Sequence, residues 1–294
     1  MSSKSRKPDF IIAGATRSGT TTLHQVLREH PDIFMPEKKE LHFFDHTADF
    51  KKGEDFYGEY FKPAPDDQII GEATPSYFTH GYTVNEKGQH EWSPADDSAK
   101  RLHDMLPDSK LVISLRHPVD RAHSFFWRTV WQGHETADSL EQAFEEEMNG
   151  QRSPDETPLC CMYLNHYKTH LDHWLKFFPK KNICVVIMEE WSKEPLPSLD
   201  EITQFLGVSS FGRDFEMPVV NQGRRVKYKS FAALARKYPR SKIMRFLTRH
   251  FFSEPGYQKI TDAERQRLRP YFAKDIAGVE EFLGRSIKAW SVNA

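Results

Sequence analysis

Cysteine is scarce in this chain. Cys160, Cys161 and Cys184 are the three present in 294 residues. Two of them are adjacent and cannot easily bridge, and the third lies in an apolar run where a buried thiol is ordinary. No disulfide framework is expected, and a reducing compartment follows. Net charge is scarce too. The 41 Lys and Arg against 42 Asp and Glu leave −1, which gives no global pull toward nucleic acid. No apolar run has the length of a membrane span. Met1 to Pro8 is polar and basic without a hydrophobic stretch, so residues 1–8 read as a disordered leader rather than a signal peptide. Residues 9–294 then read as one domain, long enough to bury a sizeable core. Repeats and low-complexity tracts are absent. The expected location is cytoplasmic, and nothing in the sequence speaks to oligomeric state.

What is present is a glycine loop between an apolar run and an amphipathic segment. Phe10-Ile-Ile-Ala13 leads into Gly14-Ala-Thr-Arg-Ser-Gly-Thr-Thr-Thr22, and Leu23, Val26 and Leu27 follow at helical spacing. Strand, glycine loop and helix form a phosphate cradle. Loop N–H groups curl around the anion, and the helix start adds unpaired donors and its positive dipole end. The pattern departs from the nucleoside-triphosphate loop at one position: Thr20 stands where the lysine belongs, and a cation, Arg17, comes three residues earlier. Such a loop suits a single phosphoryl-sulfuryl group better than a β/γ-phosphate pair. Read alone, the glycines could equally serve tight backbone packing.

A second cluster follows at Leu111-Val-Ile-Ser-Leu-Arg-His-Pro-Val-Asp-Arg-Ala-His-Ser124. Leu111 to Leu115 reads as a buried strand, with Ser114 the polar exception. Arg116 falls at its carboxyl end, Pro118 suits the first turn of a helix, and Ser124 lies within that helix. Ligands of open parallel sheets sit beyond the carboxyl ends of strands. A guanidinium and a hydroxyl there make a second anion site, unless Arg116 merely pairs with a nearby carboxylate. Two anion sites at two strand ends imply a ligand with two separated phosphate-like groups.

Together these clusters resemble the sulfotransferases that use 3′-phosphoadenosine-5′-phosphosulfate (PAPS). Glu40-Leu-His-Phe-Phe-Asp45 and Gly71-Glu-Ala-Thr-Pro-Ser-Tyr77 are similar to motifs of the heparan-sulfate type, and the likeness runs in order along most of the chain. The resemblance implies an α/β fold: a single domain with a central parallel sheet flanked by helices, like that of P-loop nucleotide-binding proteins. It implies that Arg17, Ser18, Gly19, Thr20, Thr21 and Thr22 hold the 5′-phosphosulfate, and that Arg116 and Ser124 hold the 3′-phosphate. Two departures matter. Arg17 stands where the family usually has lysine, replacing a point charge by a planar fork. Ala73 stands where heparan-type enzymes usually have lysine, which favours a hydroxyl on a small metabolite, glycolipid or carbohydrate over a long sulfated polymer. The heparan-type relatives are usually Golgi-anchored; the expectation for this chain is a cytoplasmic relative.

Sulfuryl transfer needs an in-line acceptor, a general base, and cations or N–H donors around the transferred group. The donor is already activated, so no metal is required. Glu40 is the first base candidate, and the neighbouring aromatics are expected to desolvate it and raise its pKa. His42 is the second. A solvated charged loop (Glu40) and a partly buried structural histidine (His42) are the bland alternatives. Met217 to Ser253 carries ten Lys and Arg and no acid. It reads as a solvated basic face, a surface for an anionic acceptor or partner, or a flap whose Arg224 reaches the nucleotide. His166, His170 and His173 share a helix face, but three ligands from one helix rarely converge on one ion. Two other function classes stay open: an ATP- and magnesium-dependent small-molecule kinase, and a catalytically silent nucleotide-binding module. Thr20 and the absence of a second-strand aspartate weigh against the kinase. Phe43, Phe44, Phe56, Tyr57, Tyr60, Phe61, Tyr77 and Phe78 are expected near the acceptor.

The coarse pattern predicts further strands at Ile69–Ile70 and Ile183–Met188, and a loop over residues 85–98. It predicts helices over Ser139–Met148, Leu159–Phe178, Leu199–Leu206 and Thr261–Leu283, with Pro195–Pro197 as a connection.

Overall fold

The structure, a computed structural model, describes residues 6–84, 90–93, 97–132, 134–152, 161–212, 215, 217, 224–226, 253–255 and 260–291. In chain order these give β1 (Phe10–Gly14), α1 (Thr20–Arg28), β2 (Ile33–Phe34), α2 (Thr47–Phe50), α3 (Gly53–Gly58), β3 (Ile69–Ala73), β4 (Tyr82–Val84), β5 (His90–Trp92), α4 (Ser98–Met105) and β6 (Lys110–Leu115). They continue with α5 (Pro118–Gln132), α6 (Leu140–Met148), α7 (Tyr167–Trp174), β7 (Ile183–Ile187), α8 (Met188–Lys193) and α9 (Pro195–Leu206). The last are β8 (Arg224–Val226), β9 (Ser253–Pro255), α10 (Asp262–Leu268) and α11 (Ala273–Leu283).

Two compact units result. Residues 1–117, 167–219 and 278–294 form the first; residues 118–166 and 220–277 form the second. The first unit holds a five-stranded sheet in the order β2-β3-β1-β6-β7, parallel at every pairing. The expected α/β architecture with a central parallel sheet is therefore present. Its central strands read as largely apolar runs because both faces are covered: Phe10 to Ala13 and Val185 to Ile187 are buried throughout. On one face Ile12, Val112 and Val186 pack with Leu23, Val26 and Leu27 of α1 and with Trp191, Leu199 and Ile202 of α8 and α9. Burial of these aliphatic and aromatic side chains contributes about 1.5–3 kcal/mol each. The chain leaves β1 toward β3 on one side and β6 on the other, so the sheet's switch point lies at the carboxyl end of β1.

The second unit is mainly helical. Ser139 caps α6 through its hydroxyl. Arg152 reaches Glu135 at 2.7 Å, and its side chain is 6% exposed against 0% for the glutamate. Arg121, also buried, donates to the carbonyl of Leu164 and to Asn165. Thr261 and Glu264 close a capping box at the start of α10.

Several boundaries differ from the sequence pattern. The helix expected over Thr261–Leu283 is broken by a 3-10 turn at Arg269–Phe272, because Pro270 lacks the N–H a continuous helix needs. The helix expected over Leu159–Phe178 shrinks to Tyr167–Trp174; Asn165 instead donates its side-chain amide to the Cys161 carbonyl, and His166 leaves helical geometry. Leu159 and Cys160 lie outside the described residues. Pro195 opens α9 rather than marking a connection, since a first-turn proline loses no helical bond. Residues 90–92, within the loop expected over 85–98, instead form a strand that pairs antiparallel with residues 82–84.

Candidate functional site

The glycine loop sits at the switch point. A one-residue shift in register between Ile12 and Gly14 turns β1 away from β6 into the loop. The Ala15 N–H donates to the Ser114 carbonyl at 2.8 Å, and the Ser114 hydroxyl donates to the Ser18 carbonyl at 2.7 Å. The indole N–H of Trp191 donates in turn to Ser114 Oγ at 3.0 Å. The polar exception in an otherwise apolar strand is thus the clasp of the loop. Gly19 closes it at φ 77°, and a Cβ there would lie 2.4 Å from the Trp191 ring. No side chain caps α1 and no acid occupies its first turn. The opening N–H groups of Thr20, Thr21 and Thr22 therefore lack helical partners and present a positive dipole end. The Ser18 hydroxyl is fully buried with no hydrogen-bond partner. An anionic oxygen fits such a cradle, so the residues present suit a phosphate-like group.

Arg116 follows β6 directly. Its carbonyl accepts from Tyr167 OH at 2.8 Å, and the next N–H, of His117, donates to Glu189 Oε1 at 2.9 Å. Glu189 Oε2 is held by the indole N–H of Trp290. Among the described residues no carboxylate pairs with the Arg116 guanidinium. Ser124 is buried on α5, in the second unit. Arg224 opens β8, which pairs antiparallel with β9 in that unit. Most of the basic stretch, residues 227–252, lies outside the described residues.

Glu40 stands beside the carboxyl end of β3, its N–H donating to the Ala73 carbonyl at 3.0 Å. Ala73 in turn pairs with Ile12 of β1. Lys39 Nζ touches Glu40 Oε1 at 2.7 Å and His42 Nε2 lies 3.8 Å from Oε2. The other ring nitrogen of His42 meets Asp45 at 3.0 Å, and Asp45, fully buried, also accepts from the Ser76 hydroxyl. His42 is thus strung between two carboxylates. Among the described residues the non-glycine positions with left-handed backbone are Arg17 (φ 69°), Glu40 (φ 60°) and His42 (φ 55°). Such backbone costs on the order of 1–3 kcal/mol per residue and concentrates at functional sites.

The electrostatics reverse one expectation. The charged His42 ring 3.8 Å away, opposed by burial and helped by Lys39, pulls the Glu40 carboxyl down to about 2. The expected upward shift fails because His42 and Lys39 outweigh the effect of burial. Phe43, Phe44, Tyr57, Phe61 and Tyr77 turn inward and pack on one another, and Phe78 packs on Tyr167 and His170. Those rings are core, leaving Phe56 and Tyr60 partly exposed with Lys38 beside Tyr60. Burial works to neutralise His42, but Asp45 and Glu40 together outweigh it and push the imidazole up to about 10. At neutral pH His42 is a cation. Burial raises Glu72, at the end of β3, to about 7, while the Thr74 hydroxyl works against the shift.

Asp45 and Lys39 were not singled out by the residue pattern, although the three-residue step from His42 to Asp45 was visible. The three histidines of the α7 region do not converge. His166 pairs with Asp275, His170 Nδ1 accepts from the His80 N–H, and His173 meets Asp97.

Comparison with known proteins bears on the family and the fold. A family model described as the sulfotransferase domain matches residues 7–279. The human heparan sulfate glucosamine 3-O-sulfotransferase 6 is 30% identical over 203 residues, 69% of this chain and 53% of its own length. The human bifunctional heparan sulfate N-deacetylase/N-sulfotransferase 3 is 28% identical, over 69% of this chain and 22% of its own. The chain therefore spans about half the length of the first relative and about a fifth of the second. A crystal structure of a sulfotransferase from Alicyclobacillus acidocaldarius superposes with a TM-score of 0.67 at 25% identity, covering 97% of this chain and 99% of its own. Among the described residues no helix is long and apolar enough to cross a membrane. With a domain model spanning nearly the whole chain and a glycine loop at the sheet's switch point, the chain belongs to the sulfotransferase family.

Proposed function

We propose that the protein transfers the sulfuryl group of PAPS to a hydroxyl of a carbohydrate, glycolipid or small metabolite, with an amine as the lesser acceptor. The observation that carries this reading is the uncapped start of α1 beside the buried, unpartnered Ser18 hydroxyl, in a loop without the triphosphate lysine. Arg17 through Thr22 receive the 5′-phosphosulfate, whose activated sulfur supplies the electrophile. Arg116, held at its backbone by Tyr167, receives the 3′-phosphate. The assignment of Ser124 and Arg224 to that same phosphate rests on the sequence pattern alone. Neither anion site calls for a metal.

Glu40 takes the acceptor proton. A carboxylate at about 2 is a weak base, but it is ionised at every working pH. As the S–O bond forms, the acceptor proton becomes strongly acidic, so a weak base suffices late in transfer. His42, already protonated, orients Glu40 and steadies its charge instead of serving as the base. The names of the two human relatives favour a carbohydrate acceptor, whereas Ala73 lacks the cation that a lysine at that position would offer a long polyanion. Glu40→Gln tests the assignment: affinity for 3′-phosphoadenosine-5′-phosphate (PAP) should stay within about twofold while turnover falls about 10²–10⁴-fold. Unchanged turnover rejects Glu40 as the base.

A further inference from the structure

A second cluster of titratable side chains lies apart from the Glu40 group. His80 ends the segment that follows β3, Asp97 caps α4, and His173 occupies the last turn of α7. His173 Nε2 lies 2.8 Å from Asp97 Oδ2. The rings of His80 and His173 lie face to face, 3.7 Å between centroids and 22° between planes. One ligand atom from each residue falls within 4.8 Å of the others. Neither the anion cradle nor the proton-accepting cluster uses any of the three.

Neighbouring contacts hold each of the three segments in place. Asp97 Oδ1 accepts from the N–H groups of Ala99 and Lys100, which commits that oxygen to the helix start and turns Oδ2 toward His173. The His80 N–H donates to His170 Nδ1 at 3.3 Å, which fixes the backbone at His80. His173 is buried beside Trp174, whose indole N–H donates to the Phe78 carbonyl, only two residues before His80. His80 and Asp97 are partly exposed, which gives an ion a path in and a place for a water.

We propose that His80, Asp97 and His173 bind a divalent transition metal of the zinc class, which staples the segment after β3 to the start of α4 and the end of α7. Two imidazoles and one carboxylate are a borderline donor set that suits zinc and its neighbours; calcium and magnesium prefer oxygen alone. Bonds of about 2.0–2.2 Å at tetrahedral angles set donors about 3.3 Å apart. The cluster closes by about 1.5 Å from its widest spacing, with His80 turning out of the ring stack so that its lone pair meets the ion. The ion replaces the hydrogen bond between His173 and Asp97. Three chain segments supply the ligands, which removes the objection to three histidines on one helix. The site is independent of sulfuryl transfer.

The test is zinc titration of the full, chelator-treated chain by calorimetry, beside His80→Gln. Gln at 80 keeps the backbone and leaves the Asp97 cap in place. One equivalent should bind with micromolar or tighter affinity, and His80→Gln should weaken it at least about tenfold, with PAP affinity unchanged. Cobalt in place of zinc should give the visible absorption of a low-symmetry site, lost in the variant. No stoichiometric binding, or equal affinity in wild type and His80→Gln, overturns the proposal, whatever the fate of the transfer reaction.

Discussion

Raising the pH should strip a proton that the fold depends on. His42 lies between Asp45 and Glu40 and is pushed from 6.5 up to about 10. A folded-state value above the unfolded one means that the charged ring stabilises the fold. That contribution is fully present below about pH 6.5 and is lost as pH rises toward about 10. At 1.36 kcal/mol per tenfold change in proton affinity, the ceiling is about 5 kcal/mol. The His42 side chain is 28% exposed, so solvent screening brings the expected contribution to about 2 kcal/mol. Urea unfolding of wild type and His42→Gln at about pH 6 and about pH 9.5 reads it directly. The gap between the two proteins should be about 2 kcal/mol larger at the lower pH. An equal gap at both pH values means that folding leaves the His42 pKa at its unfolded value, and the ionic cluster as described is wrong. Glu40 has the opposite sign: its contribution is present above about 4.5 and is lost as pH falls through about 2.

Three further outcomes follow from the packing. Gly19→Ala puts a Cβ against Trp191 at a positive φ and should cost about 1–3 kcal/mol by thermal denaturation, with weaker nucleotide binding; wild-type stability and affinity would show that the loop conformation is unimportant. Trp191→Phe removes the donor to Ser114 and should cost about 1 kcal/mol in urea unfolding while raising the KM for the sulfuryl donor more than it lowers kcat; an unchanged KM means the clasp does not shape the loop. Arg152→Ala leaves Glu135 buried without its cation and should cost about 3–5 kcal/mol in the same unfolding assay; a cost below about 1 kcal/mol means the pair is solvated.

The central strands were legible because parallel strands buried on both faces show as apolar runs. Phe10–Ala13, Leu111–Leu115 and Ile183–Ile187 needed no tertiary information. Ile33–Phe34 was too short to register. The glycine loop was legible from residue types, and so was the exceptional Ser114, but its role as the clasp depends on Trp191, which arrives from far along the chain. Glu40 and His42 were legible as candidates; their ionisation was not. Whether Phe43 and Phe44 face a carboxylate or each other is decided by Tyr57 and Tyr77, which no local pattern reveals. Pro270 was a visible breaker inside a periodic segment, and the periodicity masked it. The His80, Asp97 and His173 cluster draws on three segments, so a search along one helix found a different trio.

The most direct measurement of the central claim is calorimetric titration of the protein with PAP and with ATP, each with and without magnesium. The account predicts tight, magnesium-independent binding of PAP, weakened at least about tenfold by Arg116→Ala through loss of a charge-assisted contact. A preference for ATP with magnesium, or binding of neither, would contradict it and return the glycine loop to a kinase-like or purely structural role.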